Sequence, residues 1–134
     1  RDGIDDLATA NGTGAALSVM LGLGANGKGN GAFAAPVSYA LGATGMGLWS
    51  GDFSGDGIPD IAVAVSAGVV TWRGTGSGTF VDGTLVAAGS GVRGVVSADF
   101  DRDGVADLAL ASSSTNNKVN KLTDATAGQS PEGR

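Results

Sequence analysis

The sequence predicts an all-β fold built from repeated sheets of four short antiparallel strands, and three observations carry that expectation. A segment recurs at an offset of 47 residues: Gly51-Asp-Phe-Ser-Gly-Asp-Gly-Ile-Pro-Asp60-Ile-Ala-Val-Ala64 aligns with Ala98-Asp-Phe-Asp-Arg-Asp-Gly-Val-Ala-Asp107-Leu-Ala-Leu-Ala111. Apolar stretches are short and closed off by Gly, Ser or Asp, the punctuation of strands and turns. Glycine supplies 25 of 134 residues and aromatics only 5 %, which fits many turns with small side chains packed between strands.

The chain opens on a truncated third copy, Arg1-Asp-Gly-Ile-Asp-Asp6-Leu-Ala-Thr-Ala10, whose Gly3 lies 54 residues before Gly57. Phe33 and Phe80 each end a Gly-x-Phe triplet 19 residues ahead of Asp52 and Asp99, and Trp49 corresponds to Val96, so the register holds across the whole unit. Seven extra residues in the first interval are expected in Gly-rich turns, three between Leu7 and Val19 and four between Val19 and Phe33, because turns tolerate insertion.

Strands are expected over residues 47–53, 61–66, 68–73 and 83–88 of the complete unit. The second, Ile61-Ala-Val-Ala-Val65, is apolar without alternation, as for a strand covered on both faces. A period near 45 residues with four strands is that of a β-propeller blade; a β-sandwich gives no reason for such a repeat. In the last unit Lys118–Leu122 reads as a strand and no Gly-x-Phe follows. The expected division is a partial blade at 1–45, a complete blade at 46–92, a partial blade at 93–122 and a loose tail at 123–134, about 2.5 blades in all.

The repeated segment carries its own chemistry. Asp52, Ser54, Asp56 and Asp60 place oxygen side chains at loop positions 1, 3, 5 and 9, with the Ile58 carbonyl at position 7. Asp99, Asp101, Asp103, the Val105 carbonyl and Asp107 repeat the set. Alternate residues of a tight loop turn inward, and this spacing converges oxygens on a hard cation such as Ca2+, which takes 6 to 8 of them. Gly57 and Gly104 are expected at positive φ, where the turn is sharpest. An EF-hand would need Glu at position 12, and Val63 and Leu110 stand there. Asp2, Ile4 and Asp6 match only the second half of the loop and would complete a third site together with residues further upstream.

Composition narrows the rest. There is no Cys and no His, which removes disulfides, thiol chemistry, cysteine zinc sites and the usual general base. Nine of the thirteen acidic residues lie in the loops, so the net charge of -5 is read as metal-site chemistry. No basic stripe suits nucleic acid, no apolar run of 18 residues suits membrane insertion, and no signal peptide is visible.

Asp-Phe-x-x-Asp-Gly-x-x-Asp before an apolar strand, then a Gly-rich hairpin ending in Gly-x-Phe, resembles the FG-GAP or VCBS repeats of integrin α-subunit propellers and bacterial secreted proteins. The likeness runs from residue 1 to about 122. It implies a β-propeller with calcium in the loops between first and second strands, and an extracellular or cell-surface setting.

The expected role is a non-catalytic calcium-binding segment for recognition or adhesion, with a protein or glycan ligand; the chain reads either as a piece of a longer propeller or as a fragment whose copies associate to complete a ring. The alternatives are a lectin-type propeller and part of a calcium-dependent polysaccharide lyase. Trp72 and Arg73 are the surface candidates for ligand contact, whereas Trp49 is expected in packing. A lyase would draw its base from Arg73, Arg93 or Arg102, none of which the sequence pairs with a substrate site; Lys28 in Asn26-Gly-Lys-Gly-Asn30 reads as a hairpin tip.

Overall fold

The computed structural model describes residues 2–113 and 119–122, and within them the chain is all-β, with no helix. The strands are β1 (Leu7–Asn11), β2 (Ala16–Met20), β3 (Gly22–Ala25), β4 (Lys28–Phe33), β5 (Val37–Ala40), β6 (Gly45–Gly51), β7 (Asp60–Val65), β8 (Gly68–Gly74), β9 (Phe80–Ala87), β10 (Val92–Ala98), β11 (Asp107–Ser112) and β12 (Val119–Leu122). They form antiparallel sheets in the orders β1-β2-β5, β6-β7-β8-β9 and β10-β11-β12, with β3-β4 as a separate hairpin. The second and third sheets are meanders of sequential neighbours, as short connections favour, whereas in the first β5 pairs with β2 across the intervening β3-β4 hairpin. The expected tail at 123–134 and Lys118 lie outside the described residues.

β7 is the centre of the molecule. All six of its residues are buried, because opposite faces of its sheet meet different neighbours. Ile61, Val63 and Val65, with Val70 from β8, pack against Leu17, Val19 and Leu41 of the first sheet. Ala62, Ala64 and Val69 turn the other way, into a cluster with Val92, Val95, Leu108 and Leu110 of the third sheet. An unalternating apolar strand is what such two-sided cover requires. Three propeller-like blades therefore stack side by side, the middle one four-stranded.

Strand ends shift from the sequence expectation for a packing reason. β6 stops at Gly51, and Phe53, expected at its end, leaves the ladder to enter the core at 2 % exposure. A Cβ on Gly51 would stand 3.1 Å from the Phe53 ring, so the glycine makes room for that turn. β9 starts at Phe80, where Gly74 pairs with Phe80.

The insertions also settle differently. Four residues separate the paired Asn11 and Ala16, where two separate Val65 and Gly68. Ten separate the paired Gly22 and Phe33, where five separate Gly74 and Phe80. The first interval thus gains two residues in its first turn and five in the β3-β4 hairpin, instead of three and four. Register follows the ladder and slides by one residue from the sequence alignment.

Candidate metal centre

Each loop is curled by backbone N–H groups donating to its own aspartates. At position 5 the side chain receives the N–H two residues on: Ile58 donates to Asp56 Oδ1 at 2.8 Å and Val105 to Asp103 Oδ1 at 2.8 Å. The half-loop makes the same turn, with Ile4 donating to Asp2 Oδ1 at 3.0 Å. At position 1, Asp52 Oδ2 accepts from Gly57 at 2.7 Å and Asp99 Oδ2 from Gly104 at 2.9 Å. Gly3, Gly57 and Gly104 hold φ of +79°, +78° and +90°, the left-handed region where a Cβ is costly.

The position-9 aspartates have a role that spacing did not reveal. Asp60, 3 % exposed, takes the N–H groups of Phe53 and Ser54 on Oδ2 at 2.8 and 2.9 Å and that of Gly74 on Oδ1 at 2.9 Å. It ties the loop entrance to the end of the third strand. Asp107, equally buried, takes the Phe100 N–H at 2.9 Å, and Asp6 takes the Gly22 N–H at 2.9 Å. A buried carboxylate is tolerated because donors of this kind stabilise its charge.

Gly22 and Gly74 are site-positioning residues that the sequence reading passed over. Besides donating to Asp6 and Asp60, each abuts the carbonyl before that aspartate: an added Cβ would lie 2.3 Å from Asp5 O and 2.2 Å from Pro59 O. The signal was present in the sequence, as a glycine 14 residues after Asp60 and 16 residues after Asp6.

Oxygens of Asp99, Asp101 and Asp107 lie within 4.8 Å of one another. Three like charges this close repel, and a divalent cation is the natural counter-charge. The all-oxygen donor set fits a hard cation. Asp103, also expected to contribute, lies outside this group and holds Val105 N–H. In the other loop Ser54 stands where Asp101 does, 3.5 Å from Asp52 Oδ1, so that loop has one carboxylate fewer. The two loops adjoin: Ala106 N–H donates to the Asp52 carbonyl at 3.4 Å.

Of the two ligand candidates, Trp72 is placed otherwise than the sequence suggests, while Arg73 lies at the surface. Trp72 packs against Tyr39 with ring centroids 5.2 Å apart, and Tyr39 meets Phe80 edge-on at 5.9 Å. Its indole N–H is buried in that cluster. Trp49, expected in packing, is 42 % exposed. Arg73 is exposed and pairs with Asp82 at 2.8 Å. Between the first two sheets a cavity of about 170 Å³ is lined largely by Leu7, Val19, Leu21, Ile61 and Phe80, with Asp6 and Asp60 also in its wall. That is smaller than the ~300 Å³ at which ligand pockets begin.

A family model described as FG-GAP-like repeat matches residues 1–63 and again 63–110. No curated protein and no solved structure matches the chain significantly.

Proposed function

Because the chain belongs to the FG-GAP-like repeat family, we propose that it is a calcium-binding β-propeller segment that serves recognition or adhesion in an extracellular protein and performs no catalysis. The observation that supports calcium is the convergence of Asp99, Asp101 and Asp107 in a loop already curled by its own N–H groups. Asp103 and the Val105 carbonyl would complete that set; Asp52, Ser54, Asp56, Asp60 and the Ile58 carbonyl would hold the second ion. Bound calcium supplies positive charge that cancels the repulsion among these carboxylates. The protein's part is to keep the oxygens close, with the loop amides, and at Asp60 also the Gly74 N–H, holding the last aspartate in place.

FG-GAP repeats are typical of extracellular proteins, where calcium is plentiful, and among the described residues no helix is long and apolar enough to cross a membrane. The partner in this reading is a protein or a glycan on a cell surface. The glycan version is favoured by one observation, the exposed Trp49 ring, whose flat face suits a sugar.

Thermal melts in millimolar calcium and in chelator test the metal: binding to the native state alone raises the melting temperature by mass action. An unchanged melt overturns it. Screening the calcium-loaded chain on a glycan array, with Trp49→Ala as control, separates the glycan partner from the protein partner.

A further inference from the structure

The loops at 52–60 and 99–107 meet at one peptide group, the one that joins Val105 to Ala106. Its carbonyl is position 7 of the loop at 99–107. At its other end the Ala106 N–H crosses to the second sheet's loop and donates to the Asp52 carbonyl at 3.4 Å. Asp52 is position 1 of that loop, and its carboxylate takes the Gly55 N–H on Oδ1 at 2.8 Å and the Gly57 N–H on Oδ2 at 2.7 Å. One peptide thus joins a candidate ligand oxygen of one loop to the backbone of a candidate ligand residue of the other. Pro59, which stands at the position of Ala106 in the preceding loop, has no N–H to offer.

Two further contacts stiffen the joint. Val105 Cγ2 lies 3.5 Å from where a Cβ on Gly55 would stand, so the valine rests against the position-4 backbone of the other loop. Phe53, at position 2, is 2 % exposed in a cluster with Val92, Val95 and Leu108, against which Ala106 also packs. The N–H groups of Phe53 and Ser54 in turn hold Asp60 at 2.8 and 2.9 Å. The third sheet therefore touches positions 1, 2 and 4 of the second sheet's loop and, through position 2, reaches the anchor of position 9.

Two opposing effects set the sign of any influence between the loops. A divalent charge in one lowers the attraction of the other for a second ion. Asp56, Asp99, Asp101 and Asp103 are exposed, however, and physiological salt screens such charges beyond about 8 Å. The shared peptide works the other way. At 3.4 Å the bond from Ala106 is at the long end for N–H···O, where it contributes least. Coordination through the Val105 carbonyl polarises the peptide, makes its N–H a stronger donor and lets that bond shorten. Asp52 and Ala106 are both half-buried, which limits competition from water.

We propose that the Val105–Ala106 peptide couples the two loops, so that occupation of the loop at 99–107 raises the calcium affinity of the loop at 52–60. This rests on the calcium reading above. Linkage makes the effect reciprocal, and one strengthened hydrogen bond sets its size at roughly fivefold, the low end of couplings between sites. As calcium rises, the joint between the second and third sheets then sets over a narrower concentration range than independent sites allow.

The test follows the backbone amide signals of Gly57 and Gly104, one for each loop, in the isotope-labelled chain through calcium titrations in physiological salt. Asp101→Ala combined with Asp103→Ala disables the loop at 99–107. It should raise the calcium concentration that half-shifts Gly57 roughly fivefold, although no residue of the 52–60 loop has changed. Ala106→Pro removes the bridging N–H, and Pro59 shows that the loop frame accepts proline at this position. In that background both glycines should still shift, and disabling the loop at 99–107 should no longer move the Gly57 midpoint. In the unaltered chain, which serves even where the proline variant does not fold, calcium should slow hydrogen exchange of the Ala106 amide. A Gly57 midpoint that is unmoved or lowered when the 99–107 loop is disabled overturns the proposal. So does coupling that survives Ala106→Pro, or an Ala106 amide whose exchange calcium leaves unchanged. If neither glycine shifts, the calcium reading fails and the coupling with it; if both shift at independent midpoints, the coupling alone is rejected.

Discussion

Phe53 and Phe100 hold the same place in successive repeats, yet Phe53 is 2 % exposed in a cluster with Val92, Val95 and Leu108 while Phe100 is 50 % exposed. The third sheet seals the first of these rings, and the second lies on that sheet's outer side. Phe53→Ala is expected to cost about 3–5 kcal/mol, the range for emptying an aromatic core site. Phe100→Ala should cost less than about 1 kcal/mol, as for exposed positions. Urea unfolding of both variants checks the contrast, and equal losses would show that the repeats are packed alike.

Asp60 separates architecture from metal binding. Asn in its place keeps one acceptor oxygen and turns an amino group toward amides that need acceptors. Asp60→Asn is expected to destabilise by about 2–3 kcal/mol even in chelator, because it removes charge-assisted bonds to Phe53, Ser54 and Gly74. Asp56→Asn, at an exposed position with one local turn bond, should change stability in chelator by less than about 1 kcal/mol. Comparable losses in the two variants would refute the separate role of Asp60.

The two complete loops should bind calcium unequally. The loop at 99–107 has an aspartate at position 3 where the other has Ser54, and affinity rises with ligand charge. Calorimetric titration should resolve a tighter site, and Asp101→Ser should weaken it roughly tenfold toward the second. Ser54→Asp should move the weaker site the opposite way. If Asp101→Ser leaves both isotherms unaltered, the position-3 carboxylate is not a ligand.

The two tryptophans offer a test of the packing. Trp72 Nε1 is buried beside Tyr39, whereas Trp49 is 42 % exposed. Iodide should quench the emission of Trp72→Phe, which retains Trp49, several-fold more steeply than that of Trp49→Phe. The reverse order would place Trp49 inside.

The sequence by itself determined the chemistry that is local. Asp, Gly and Asp at fixed offsets specify a curled oxygen-rich loop, because an aspartate reaches amides two to five residues on and glycine alone enters the left-handed region without strain. The unalternating run at Ile61–Val65 likewise announced two-sided cover before any neighbour was known. Only the tertiary structure decided which of two equivalent residues is sealed. Phe53 and Phe100 differ by what lies across the sheet face, and that neighbour comes from a distant part of the chain. The same reason hid the work of Asp60: its donors at Phe53 and Gly74 are set 7 and 14 residues away and meet it only when the first and third strands flank the second.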